Sequence, residues 1–178
     1  LAILLMSAAS LCAQTSFVLG DWIAYSSMRT VRSASVDSRD RIWCATSGGV
    51  SVINPADGTT REFRNVDALL NIDVTAIHCD PVAKVVYIGS FDGSFAIVTE
   101  DFEWTNITDI RRASAYQRKQ INDFHLIDST LFIATDFGIL NFDPVRRVFR
   151  ETIDRIGTLQ EKTPINALVT FRDTLWAA

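Results

Sequence analysis

Two histidines are the first candidates for metal or acid–base chemistry, because imidazole titrates close to neutral pH. His78 and His125 are the only histidines of the 178-residue chain, and they hold the same position in a sequence repeat described below. Ser35 and Val169 hold that position in the other copies, and neither residue type replaces a histidine ligand. We therefore expect two strand histidines with ordinary hydrogen bonds rather than a paired functional site.

The three cysteines are too few for a disulfide scaffold and, with two histidines, leave few ligands for a metal cage. Cys44 and Cys79 take repeat positions that are held elsewhere by Ile88 and Leu126, which predicts small core residues. Their different positions in neighbouring copies do not favour a disulfide, and no basic neighbour is present to activate a thiolate. No cofactor and no metal ion are predicted.

The carboxylates are scattered at predicted strand ends rather than paired, as turns and solubility require. They include Asp37, Asp40, Asp57, Asp92, Asp101 and Asp143. Glycoside hydrolysis needs two facing carboxylates, and no such pair can be nominated. The sequence predicts a protein without catalytic residues, although an enzyme with groups around a central channel, a lyase or a glycosidase, remains an alternative.

One irregular segment, residues 108–119, concentrates cations around an aromatic residue. It contains Arg111, Arg112, Tyr116, Arg118 and Lys119. Loops on a rigid scaffold are where binding residues collect, so these five predict a contact site for a protein or an anionic glycan. The alternative is a solvated surface loop. The net charge of −4 offers no basic field for nucleic acid, which is not a predicted partner.

A repeat of 44 or 45 residues organises the chain that carries these groups. Its marker is an aromatic residue at Trp43, Tyr87, Phe132 and Trp176. In each complete copy a small residue follows two positions later, a hydroxyl residue three and a glycine six positions later. Strands are predicted upstream of each marker, at residues 31–36, 74–79, 121–126 and 165–170, and further strands follow each glycine.

Four short strands in about 44 residues are typical of a β-propeller blade, whose two apolar faces must be covered by sibling blades. The sequence thus predicts an all-β, incomplete β-propeller over residues 14–178, with three four-stranded blades and the start of a fourth. The small residue of each copy should make room for the neighbouring blade. Residues 20–25, which contain Trp22, are predicted as an N-terminal strand that closes the ring.

Residues 1–13 are apolar and uncharged and resemble the core of a truncated signal peptide, cleaved after Ala13. A buried helix is the alternative, as is lipid modification of Cys12. Thirteen residues are too few to span a bilayer, which takes about 20 in a helix, so no transmembrane segment is predicted. The protein is expected to be exported.

The aligned copies resemble the two-component-regulator type of propeller repeat, which reads here Asp37, Trp43, Ala45-Thr46 and Gly49. More narrowly, Gly20-Asp21-Trp22 and residues 121–123, 134–139 and 151–157 resemble the N-terminal β-propeller family of PorZ proteins, from the type IX secretion machinery of Bacteroidetes. That resemblance implies a non-enzymatic scaffold in the periplasm or at the outer cell surface of a Gram-negative bacterium. It implies as partners a sortase and its companions or anionic lipopolysaccharide. Related repeats also form the extracytoplasmic sensors of hybrid histidine kinases.

Overall fold

The computed structural model describes residues 26–158 and 160–178, which form three four-stranded antiparallel sheets and one two-stranded hairpin. Each four-stranded sheet pairs its strands in chain order, so it is a simple meander. This is the predicted arrangement of three blades and the start of a fourth. The predicted signal peptide, residues 1–13, and the predicted closing strand, residues 20–25, lie outside the described residues.

The blades follow one another along the chain. Blade 1 contains β1 (Val31–Val36), β2 (Ile42–Thr46), β3 (Gly49–Ile53) and β4 (Thr60–Phe63). Blade 2 contains β5 (Val74–Asp80), β6 (Val85–Ser90), β7 (Phe95–Thr99) and β8 (Trp104–Ile107). Blade 3 contains β9 (Ile121–Ile127), β10 (Thr130–Thr135), β11 (Gly138–Asp143) and β12 (Val148–Ile153), and the hairpin contains β13 (Leu168–Phe171) and β14 (Thr174–Ala177).

Two local features differ from the prediction. A single helical turn, α1 (Asp109–Arg112), lies in the connection between blades 2 and 3, where the buried Ile110 fixes it to the sheet. A turn this short leaves no periodic pattern to detect. The predicted strand at residues 165–170 begins only at Leu168, because the Ile165 amide instead donates to the Thr135 carbonyl oxygen at 2.9 Å.

In blades 1 and 2 the marker aromatic and the small residue after it fill the space between blades, as predicted, whereas Phe132 is half-buried and Trp176 is exposed. Trp43 and Tyr87 lie on the second strands of blades 1 and 2 and are 0% exposed. A Cβ atom at Gly89 would lie 2.4 Å from Cγ2 of Ile121 and 3.0 Å from Cζ of Phe124. Both neighbours belong to β9, so the missing side chain makes room for the next blade.

Side chains of each innermost strand also bond to the backbone of the next innermost strand. The Cys79 amide donates to the Ser35 hydroxyl at 2.9 Å, and the Thr75 hydroxyl donates to the Ile121 carbonyl oxygen at 2.5 Å. The Leu168 amide donates to the Asp123 carboxylate at 2.9 Å. These bonds join β1 to β5, β5 to β9 and β9 to β13, so they hold neighbouring blades in register.

A meander places its turns on two opposite faces of the propeller. The second turn of each blade and the connection to the next blade share one face, here named the connection face; the first and third turns share the other, the turn face. Gly49 and Gly138 begin the third strands with φ of 133° and 132°. A Cβ there would lie 2.2 and 2.3 Å from a carbonyl oxygen of the fourth strand, which explains the repeated glycine.

Asp37 and Asp143 accept backbone hydrogen bonds within their turns, as expected, but both are buried and so do not serve solubility. Asp37 accepts hydrogen bonds from Nε1 of Trp43 at 2.8 Å and from Nε of Arg41 at 2.7 Å. Arg150 pairs with Asp143. Asp37 is structural because the buried Trp43 indole and the largely buried Arg41 guanidinium would otherwise lack this partner. Asp143 instead pairs with an arginine whose side chain is 51% exposed.

An aromatic cluster joins the outer parts of blades 1 and 2. Phe102, in the third turn of blade 2, has ring-centroid distances of 5.6 Å to Trp43 and 5.1 Å to Phe63. The guanidinium carbons of Arg41 and Arg61 lie 5.0 and 4.2 Å from the Phe102 ring centroid. Phe102 is therefore packed between two cations and two rings, which adds cation–π attraction to apolar burial.

Replacing Phe102 with alanine should lower the free energy of unfolding by about 2–3 kcal/mol, since it removes a partly buried ring from this cluster. Phe91 provides the matched control because it is a phenylalanine that is 56% exposed. Phe91→Ala should change the unfolding free energy by less than about 0.5 kcal/mol. Urea denaturation measures both, and equal effects of the two substitutions would contradict the packing described for Phe102.

The Asp37 carboxyl makes stability depend on pH. Burial raises its pKa, but hydrogen bonds from Trp43 and Arg41 outweigh burial and hold the pKa below its ordinary value of 3.8. A carboxyl with a lowered folded-state pKa stabilises the fold above about pH 4, and this contribution is lost as the pH falls through the folded pKa.

Asp37→Asn should therefore lower the unfolding free energy at pH 7 by about 1–3 kcal/mol and flatten its decline on acidification below pH 4. Asp40→Asn, in the same turn at an exposed position, is the control and should retain the wild-type pH profile. Denaturant titrations between pH 2.5 and 7 measure both. An unchanged acid slope in Asp37→Asn would contradict the assignment.

Candidate functional site

The basic connection between blades 2 and 3 is tied to the second turns of both blades by ion pairs. Nε of Arg111 lies 3.1 Å from Oδ2 of Asp92, in the turn between β6 and β7. Nε of Arg118 lies 2.9 Å from Oδ2 of Asp136, in the turn between β10 and β11. The connection thus spans the junction of two blades on the connection face.

A cleft of about 400 Å³ lies between these two ion pairs, and we name it the cationic cleft. Phe91, Gln117 and Lys119 complete its lining, and Nζ of Lys119 donates to the Arg111 carbonyl oxygen at 2.7 Å. The Arg118 side chain is 74% exposed, whereas that of Asp136 is 6% exposed. The cations are therefore accessible to a ligand, while the carboxylate that holds Arg118 is covered.

Hydrogen bonds from neighbouring residues hold the Asp92 and Asp136 carboxylates in place. The side-chain Nδ2 of Asn122 donates to Oδ1 of Asp136 at 3.1 Å and to the Ile165 carbonyl oxygen at 2.9 Å. Burial raises the pKa of Asp92, but hydrogen bonds from Ser94 and the charge of Arg111 hold the pKa below its usual value. Asp92 consequently stays ionised at neutral pH and orients Arg111.

A second cleft, the central cleft, adjoins the first and has a volume of about 350 Å³. Its walls include Gln117, Arg118 and Asp136, which it shares with the cationic cleft. Tyr116 stacks on Phe137 with a centroid distance of 3.8 Å and an interplanar angle of 13°. This pair forms an aromatic wall.

Lys162, from the connection that follows blade 3, reaches across to the same wall. Its Nζ lies 5.2 Å from the Tyr116 ring centroid and donates to the Ala115 carbonyl oxygen at 3.4 Å. The central cleft therefore has a cation on each side, Arg118 and Lys162.

Tyr116 and Phe137 also line a third space, the apolar pocket, with a volume of about 240 Å³. The remaining walls come from α1, its flanking residue and the outer strands of blade 3: Ile110, Ala113, Leu140 and Phe149. The polar side-chain groups of its lining belong to Asp109, Thr152 and the Tyr116 hydroxyl. The three spaces follow one another, because each shares residues with the next.

Four of the five predicted site residues come together here, namely Arg111, Tyr116, Arg118 and Lys119. Arg112 lines none of the three spaces. Sequence reasoning missed Gln117 of this connection and four residues from other segments, which are Phe91, Asp92, Asp136 and Lys162. The signal that could have found most of them is topological: second turns and blade connections share a face, so the residues just before Gly93 and Gly138 should lie beside this connection.

The two histidines and the two cysteines of the described residues form no comparable site. His125 Nε2 lies 2.7 Å from the Thr170 hydroxyl, as an ordinary strand histidine would. His78 instead stacks on Tyr87, with the two ring centroids 6.4 Å apart. Burial is the main cause of a lowered pKa for His78, and the charge of the nearby His125 is the second. Within the described ranges, no cluster of three or more His, Cys, Asp or Glu side chains is arranged to hold a metal ion. No helix in that part of the chain is long and apolar enough to cross a membrane.

Successive blades of four antiparallel strands pack against each other through a repeated aromatic residue, and these features define a β-propeller protein. Its candidate site is a cleft formed by the loops between blades. A family model described as the type IX secretion system PorZ N-terminal β-propeller domain matches residues 42–177. The chain therefore belongs to the family of PorZ N-terminal β-propeller domains. No curated protein matches its sequence.

Solved structures have the same fold at low sequence identity. PorZ of Porphyromonas gingivalis, a bacterial surface component of the type IX secretion system, superimposes with a TM-score of 0.70 at 16% identity over 85% of this chain. The extracellular domain of a hybrid two-component system from B. thetaiotaomicron gives 0.66 at 22% identity over 83% of this chain. This chain spans 20% of the length of each.

The two described cysteines should resist modification in the folded protein. Cys44 and Cys79 are buried and unpaired. Burial raises the pKa of both thiols, that of Cys79 to about 12. In a Cys12→Ser variant, Ellman's reagent at pH 8 should label neither thiol in the native protein and both in 6 M guanidinium, because the thiolate is the reacting form. Rapid labelling of native protein would contradict the buried positions.

Proposed function

We propose that this propeller is part of a non-enzymatic scaffold of the type IX secretion and attachment machinery. In this proposal it is exported to the periplasm or outer surface of a Gram-negative bacterium and binds an anionic group of its partner. The partner is either another protein of the attachment complex, such as the sortase or its companions, or anionic lipopolysaccharide. Family membership supports the machinery, and the extracellular or surface location named for the similar structures supports export.

The observation that carries the binding proposal is the pair of exposed arginines on either side of the cationic cleft. Arg111 and Arg118 are held by Asp92 and Asp136, so their guanidinium groups are oriented before a ligand arrives. A planar guanidinium bonds carboxylate and phosphate through two parallel N–H donors. Ordering the donors in advance lowers the entropy lost on binding. Lys119 and Lys162 add further positive charge on this face.

A binding measurement tests this proposal. The complete protein carrying Arg118→Gln and Lys119→Gln should bind vesicles containing the organism's anionic lipopolysaccharide, or the purified attachment-complex proteins, about 10-fold more weakly than wild type. Binding by the wild type should also weaken as salt is raised. The control, Arg146→Gln, removes an exposed cation from the turn face and should bind normally. Equal affinity of the double variant and the wild type for both classes of partner would refute the cationic cleft.

A gene deletion tests the scaffold role. In the deletion strain, secreted cargo should remain unprocessed or be released into the medium, and the wild-type gene should restore attachment. Normal surface attachment of cargo without the gene would contradict the proposal.

The second candidate function is an extracytoplasmic ligand sensor of a hybrid two-component histidine kinase. The similarity to extracellular domains of hybrid two-component systems favours it. The complete gene separates the two candidates, since a downstream membrane span and kinase domain would indicate the sensor. A second propeller and a sorting tail would indicate the scaffold.

A further inference from the structure

We propose that the cationic cleft, the central cleft and the apolar pocket form one groove for a peptide segment of a partner protein. The segment places an acidic side chain between Arg111 and Arg118 and a large apolar side chain in the apolar pocket. This inference rests on the proposed function, because it names the kind of partner that the cationic cleft binds.

Continuity of the groove is the first argument. The cationic and central clefts share Gln117, Arg118 and Asp136, and the central cleft and apolar pocket share Tyr116 and Phe137. All three spaces follow one connection across the junction of blades 2 and 3. A ligand that occupies both ends must therefore carry a negative charge at one end and an apolar group at the other.

The chemistry of the apolar pocket favours an apolar side chain over a sugar. Its walls are the aliphatic side chains of Ile110, Ala113 and Leu140 and the rings of Phe137 and Phe149. The polar side chains of the lining, Asp109, Thr152 and Tyr116, are too few for the hydroxyl groups of a sugar, which would lose bonds to water in this pocket. A leucine or phenylalanine side chain loses no hydrogen bonds by leaving water, and about 240 Å³ accommodates it.

The central cleft suits the peptide backbone between these two side chains. The Gln117 side-chain amide can both donate and accept a hydrogen bond, as a peptide bond requires. The ring of Tyr116, stacked on Phe137 and with the Lys162 ammonium 5.2 Å from its centroid, gives this cleft a rigid aromatic wall beside which an extended chain can lie. Rigid aromatic surfaces are enriched where proteins bind one another because they lose little conformational entropy on binding.

The test selects a displayed library of random heptapeptides on the immobilised complete protein and measures the enriched peptide by fluorescence anisotropy. We expect enrichment of Asp or Glu followed within a few residues by Phe or Leu. Replacing the apolar residue of the peptide with Ser should weaken binding at least five-fold. Replacing its acidic residue with Asn or Gln should weaken it at least five-fold as well.

Two protein variants locate each contact. Ala113→Leu fills the apolar pocket and should make the original and Ser-substituted peptides bind equally. Arg118→Gln should weaken both peptides. Ala83→Leu and Arg146→Gln, at exposed positions of the turn face, are the matched controls and should change neither affinity.

Oligogalacturonate, a carbohydrate polyanion, separates the possible failures. If it binds in an Arg118-dependent manner while no peptide is enriched, or while the selected peptides lack an apolar residue or are insensitive to Ala113→Leu, the peptide groove is refuted and the cationic cleft stands. If no peptide is enriched and oligogalacturonate binding does not depend on Arg118, the peptide groove and the cationic cleft both fail.

Discussion

A four-stranded sheet with two apolar faces cannot leave either face in water, and this constraint governs the whole structure. Each blade contributes one large aromatic side chain to the space between blades and leaves a small residue two positions later. Gly89 shows how close the fit is, because a single added carbon atom would overlap Ile121 of the next blade. Burial of these surfaces, at about 25 cal/mol per Å², is the main source of stability.

The same constraint places the candidate site. Once the blades are fixed against each other, the second turns and the blade connections must meet on one face. The connection between blades 2 and 3 is then fastened at both ends, by Asp92 in one blade and Asp136 in the next. Residues that are far apart in sequence thereby line one groove, whose cations are oriented by rigid neighbours.

The blades could be predicted from sequence because their determinants recur at a fixed spacing: an aromatic residue, a small residue, a hydroxyl and a glycine. The site could be predicted only where its residues belong to one segment of the chain, as for Arg111, Tyr116, Arg118 and Lys119. Phe91 and Lys162 come from other segments and carry no local pattern. The buried role of Asp37 was equally hidden, since an aspartate before a turn is read as a solvent-exposed turn residue unless its contact with Trp43 is known.

The most direct test of this account is amide hydrogen exchange, measured by NMR or mass spectrometry, at the bonds between innermost strands. Cys79 donates its amide proton to Ser35 of the preceding blade, and Leu168 donates to Asp123. If the blades pack as described, Ser35→Ala should accelerate exchange at Cys79 and leave Leu168 unchanged. Unaltered exchange at Cys79, or equal acceleration throughout the domain, would contradict the direct contact between successive blades.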